Sequence, residues 1–149
     1  MVESRAKRLQ VVLMLAERKE QEAGQQLSQQ RALVVAETQQ LRELDDYAKQ
    51  YLQTYSERKV DVHPHELIAY SGFIQRLGEA CKEQQAKLER LNAVLDKLQQ
   101  RWRVAHHKCD SIKELILRLE HDESLLLDKR FQKELDELVS QQYGRKELQ

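Results

Sequence analysis

Apolar side chains recur along this chain in alternating steps of three and four residues. Stepping from Leu13 reaches Ala16, Glu20, Ala23, Leu27, Gln30, Val34, Glu37, Leu41, Leu44, Ala48, Tyr51 and Tyr55, and ten of these thirteen positions are apolar or aromatic. The same steps from Leu67 reach Tyr70, Ile74, Leu77, Cys81, Gln84, Leu88, Leu91, Leu95, Leu98, Trp102, Ala105, Cys109, Ile112, Ile116 and Leu119, where only Gln84 is polar. A seven-residue hydrophobic repeat sustained this long predicts a left-handed coiled coil. Between the two runs lies SERKVDVHPH. Pro64 cannot continue a helix but suits the first turn of a new one, and its ring pushes His63 out of the helical region. The pattern therefore predicts an all-α fold, a long two-helix antiparallel coiled-coil hairpin with a C-terminal helical overhang. Helix 1 is expected over about 3–56, the turn over about 57–63 and helix 2 over about 64–142, as a single elongated domain spanning 1–149.

In such a hairpin the facing positions carry residue numbers with a constant sum, and both 118 and 125 satisfy the seams. The first places Ala16 opposite Trp102 and the second places Ala23 there, so each sets a small residue against the largest one. The repeat of helix 2 breaks at EHDESLLLDKRF, where helix 1 runs out, and apolar residues resume as Leu127, Phe131, Leu135 and Leu138.

Composition sharpens this picture. Charged residues make up 34% of the 149 and aromatics 5%, with 4 Gly and 1 Pro, which supports a narrow seam rather than a core enclosed on all sides. Lys plus Arg balance Asp plus Glu at 25 each, so there is no global basic field for nucleic acid, and protein is the expected partner class. The N-terminal run LQVVLMLA is too short to span a membrane and lacks a small-residue cleavage site, which predicts a cytoplasmic protein without membrane insertion. Cys81 and Cys109 fall about 42 Å apart on one helix at ~1.5 Å per residue and cannot bridge within a chain.

Chemistry-bearing motifs are sparse. The four glycines are isolated, there is no nucleophile elbow and no paired-cysteine metal spacing, so neither catalysis nor a cofactor is expected. In HHKC, His106 and Cys109 stand one helical turn apart as two metal ligands, but a site needs three or four, and a solvated pair of histidines, His106 and His107, beside a seam cysteine is the simpler expectation. His63 and His65 flank Pro64 and read as turn surface. Residues 97–118 carry six basic and two acidic side chains, either a solvated face or a contact zone for an acidic protein.

The aromatics are not spread evenly. Tyr47, Tyr51, Tyr55, Tyr70 and Phe73 crowd around the predicted turn. Tyr51, Tyr55 and Tyr70 belong to the seam, whereas Tyr47 and Phe73 fall beside it. Together with neighbouring positions they form two matching stripes, Gln40, Leu44, Tyr47, Tyr51 on helix 1 and Phe73, Leu77, Ala80, Gln84 on helix 2. An apolar and aromatic face of this kind predicts a protein-docking patch.

These residues also carry a family resemblance. LDDYAKQY, YSGFIQRLGEACKEQ, the central RWR and the late ELDEL resemble the FliJ family, the coiled-coil component of the flagellar type III export apparatus. The resemblance implies a central stalk for the hexameric export ATPase, similar to the γ subunit of rotary ATPases, with the end bearing the termini entering the ring. Arg8, Arg18, Arg118 and Arg130 are the ring-binding candidates at that end. It also implies contacts with export chaperones and with the cytoplasmic domain of the export gate, at the inner-membrane export apparatus of the flagellar base. The gate contact maps onto Gln40, Leu44, Tyr47, Tyr51, Phe73, Leu77, Ala80 and Gln84, where Gln84 replaces a residue that can be histidine in relatives. The sequence alone leaves open the equivalent stalk of a virulence-type secretion ATPase and a generic coiled-coil scaffold.

Overall fold

A computed structural model describes residues 4–58 and 63–147. They form two helices, α1 (Arg5–Arg58) and α2 (Pro64–Glu147), packed antiparallel with no strand among the described residues. The all-α hairpin expected from the repeat is what the chain adopts. Ser4 caps α1: its Oγ accepts from the Lys7 amide at 3.2 Å and its carbonyl accepts from the Arg8 amide at 3.1 Å. At α2, the His63 carbonyl accepts from the amides of Glu66 and Leu67, Pro64 occupies the first helical position, and Glu66 adds an acid to the first turn. The expected reversal at 57–63 falls mostly on residues 59–62, outside the described ones, as does the expected start near residue 3. Helix α2 runs past Gln142 to Glu147.

All thirteen seam positions of α1 and all sixteen of α2 are buried or half-buried, which is how a three-four repeat must partition when two helices share one face. The chain divides into two compact units: the segment up to Glu20 with that from Val104 onward, and Gln21–Arg103. In the first unit Ala16, Cys109, Ile112 and Ile116 form a buried cluster, flanked by Leu9 and Leu13. In the second, Leu27 and Leu77 are buried, and Tyr55 meets Tyr70 with ring centroids 6.2 Å apart.

These neighbours select the register whose facing numbers sum to about 125. Ala16 packs with Cys109 rather than opposite Trp102. The indole instead lies over Gly24, where an added Cβ would meet its Cδ1 and Nε1 at 3.6 Å. Polar seam residues bond from one helix to the other. Gln30 donates from Nε2 to the Leu91 carbonyl at 3.0 Å. Gln84, itself buried, donates to the carbonyl of Glu37 at 3.1 Å and to its carboxylate. Lys87 Nζ closes the group at 3.1 Å from Glu37. A seven-residue slip would strand these groups, and a buried amide such as that of Gln84 left unpaired costs on the order of 1–3 kcal/mol.

Candidate protein-docking surfaces

Within the Gln21–Arg103 unit, the aromatic residues interlock across the two helices. Tyr51 is the hub, with its ring centroid 4.5 Å from Phe73, 5.1 Å from Tyr70 and 5.9 Å from Tyr47. Tyr47 meets Phe73 edge-on at 6.3 Å, 84° between planes. Such offset and edge contacts between rings add about 0.5–1.5 kcal/mol each beyond burial, which favours this arrangement of the cluster. The Arg76 guanidinium sits 6.0 Å from the Phe73 centroid, and its Nε reaches the Gly72 carbonyl at 3.4 Å. Beside the rings lies an open cleft of about 350 Å³ lined by Tyr51, Glu66, Ala69, Tyr70, Phe73 and Arg76.

The eight positions of the composite stripe differ in what they present. Tyr47 is 49% exposed and Gln40 is exposed; Leu44, Tyr51, Phe73 and Ala80 are half-buried. Leu77 and Gln84 are buried, and the Gln84 amide is already committed to Glu37. The Glu37 carboxyl is held below its ordinary value, first by the hydrogen bond from Gln84 and then by that from Lys87. Tyr70 and Arg76 line the cleft although the stripe omits them. Tyr70 was legible as a seam aromatic, whereas Arg76 follows only from the fold placing it against Phe73.

In the other unit Arg8, Arg18, Arg118 and Arg130 are all exposed. Arg118 has only a loose contact, 4.0 Å from Glu114. An open cleft of about 450 Å³ there is lined by Arg5, Arg8, Leu9, Leu115 and Leu119, an apolar floor with two cationic rims. From Ser124 to Glu147 every residue of α2 is exposed, so this stretch is the overhang.

Of the two histidines expected to be solvated, His107 is exposed, whereas His106 is engaged by carboxylates. His106 is half-buried, with Nδ1 2.9 Å from Glu20 and Nε2 3.3 Å from Asp110. That hydrogen bond is the main reason the Glu20 carboxyl lies below its ordinary value and the His106 imidazole above its own. Cys109, wholly buried, also bonds Glu20; burial first and this contact second push its thiol up to about 11. The signal for this cluster was Glu20 itself, an acid in an apolar seam, which needs a partner on the facing helix. Among the described residues no three of His, Cys, Asp and Glu converge to hold a cation, and no helix is long and apolar enough to cross a membrane.

Residues 5–148 match the family model described as "Flagellar FliJ protein". No curated protein and no solved structure matches the chain.

Proposed function

Because the chain belongs to the flagellar FliJ family, a structural part of flagellar protein export rather than an enzyme, we propose that it is the coiled-coil stalk coupling the export ATPase to the export gate. In this reading the unit that carries the chain termini binds the hexameric ATPase ring through Arg8, Arg18, Arg118 and Arg130. The unit that carries the aromatic cluster docks the cytoplasmic domain of the gate protein through the Gln40, Leu44, Tyr47, Tyr51, Phe73, Leu77, Ala80 and Gln84 stripe. Export chaperones are further partners, and the work is done in the cytoplasm, peripheral to the inner-membrane apparatus at the flagellar base. Buried Leu77 and Gln84 would act beneath the surface by setting the positions of their exposed neighbours.

The observation that carries the reading is the exposed half of Tyr47 locked edge-on against Phe73. A preordered aromatic pair offers a partner contact area at little entropic cost. The test is a titration with the cytoplasmic domain of the gate alongside a melting curve. Tyr47→Ala with Phe73→Ala should weaken binding by about 2 kcal/mol or more, roughly thirtyfold. The stability lost for each ring should be smaller than the ~3–5 kcal/mol typical of truncating a buried aromatic. Tyr51→Ala should damage both, and Lys49, paired with Asp45 at 3.0 Å on the solvent side, is the silent control. A double mutant that unfolds early yet binds normally when folded sinks the docking role.

A further inference from the structure

The overhang of α2 carries a second hydrophobic seam that the hairpin does not use. Continuing the α1-facing repeat beyond Leu119 by its own steps would reach Glu123, Leu126, Arg130 and Lys133, mostly charged. The apolar residues lie instead at Leu127, Phe131, Leu135 and Leu138, which are 64%, 64%, 45% and 58% exposed. At 100° per residue these four share one stripe less than a quarter-turn wide, rotated by about 90° from the face that meets α1. An extension of α1 along its own line would therefore leave this stripe uncovered.

We propose that the stripe is an antiparallel docking surface for the same segment of a second copy of this chain. Its charges choose that occupant. When two overhangs pair antiparallel about a two-fold axis between Gln132 and Lys133, Leu127 of each faces Leu138 of the other. Phe131 packs over Glu134 and its neighbour Leu135. In the same register Glu120 meets Arg145 at the outer layers, and Arg130 lies beside Glu137 on the flank of the seam. Two-fold symmetry repeats each of these matches, so one register satisfies the apolar and the ionic partners together. A parallel, in-register pair would put each Arg130 and its counterpart on opposite flanks of the seam, so that the Arg130 and Glu137 match is lost, and would leave Glu120 and Arg145 each facing its own kind.

Residues 120–145 supply about 39 Å of paired helix at ~1.5 Å per residue. With four apolar side chains from each copy in the seam, the contact belongs with small, reversible interfaces, whose lower bound is about 1,200 Å². Because Arg130 serves both this contact and the proposed ring contact, self-association would shield the overhang until the ring takes it. The dimer itself does not depend on that reading, and its test contains no ATPase.

The test is sedimentation of the full chain from about 10 μM to about 1 mM. The wild type should pass from monomer to dimer over this range. Leu138→Asp, at a position exposed in the monomer, should stay monomeric while keeping its helical circular dichroism. Arg130→Glu alone and Glu137→Arg alone should each weaken the dimer about tenfold, and the two changes combined in one chain should restore it. Mixing the two single variants should produce a heterodimer tighter than either homodimer. Spin labels fix the orientation: a label at Gln132 should report a short distance between chains and one at Gln142 about 30 Å, whereas a parallel pair makes both short. A wild type that remains monomeric at about 1 mM, a dimer indifferent to Leu138→Asp, or two short label distances would overturn the proposal.

Discussion

Gly24 beneath Trp102 offers the sharpest test of the register. Replacing it with alanine removes the backbone freedom that makes glycine costly inside a helix, a gain of about 0.8–1.0 kcal/mol. The new methyl would rest 3.6 Å from Cδ1 and Nε1 of the indole, ordinary van der Waals contact that adds ~0.2–0.4 kcal/mol and forces nothing aside. Gly78 is the control, because nothing lies within 4 Å of the Cβ it would acquire, so Gly78→Ala should gain the propensity term alone. Gly24→Leu should do the reverse: the atoms beyond Cβ must enter space the indole fills, and overpacking of about 1–3 kcal/mol cancels or exceeds the propensity gain. Urea titrations followed by circular dichroism would resolve this, since about 1 kcal/mol moves the midpoint by roughly 0.3–1 M at typical slopes. If Gly24→Ala lowers the midpoint while Gly78→Ala raises it, the indole stands closer than described. If Gly24→Leu gains as much as Gly24→Ala, Trp102 is not over Gly24 and the alignment summing to about 125 fails.

Two further outcomes follow from the terminal unit. The Glu20 carboxyl, below its ordinary 4.5, contributes stability above that pH and loses it as pH falls through the lowered value. The His106 imidazole, above its ordinary 6.5, contributes below that pH and loses it as pH rises through the raised value; their pairing is therefore strongest between about 4.5 and 6.5. Asp110 and Lys113 also face His106, the first favouring its charged form and the second opposing it. Melting temperature should decline from about pH 6 to about pH 8, and His106→Gln should flatten that decline; an unchanged slope in the variant assigns the pH dependence to other groups. Cutting the chain after Glu120 should leave melting nearly unchanged, because residues 124–147 are all exposed, while binding to the export ATPase weakens. Full binding by the truncated chain would remove the overhang from the ring contact.

The three-four repeat in the sequence determined the two helices, their seams and the position of Pro64 at the start of α2, because each follows from local geometry and side-chain polarity. It also exposed the phase break after Leu119 and the aromatic stripes, since both are patterns along one helix. A heptad repeat is unchanged by a shift of seven, however, and so left alignments summing to 118 and 125 equally acceptable. Only the packed helices decide between them, through contacts that join residues far apart in the chain: Gly24 under Trp102, Ala16 against Cys109, His106 on Glu20. The same holds for the composite stripe, where Leu77 and Gln84 share a helix face with Phe73 and Ala80 yet are buried. How much of a flanking residue remains accessible depends on the size and reach of what stands opposite, and that is a property of the pair of helices rather than of either one.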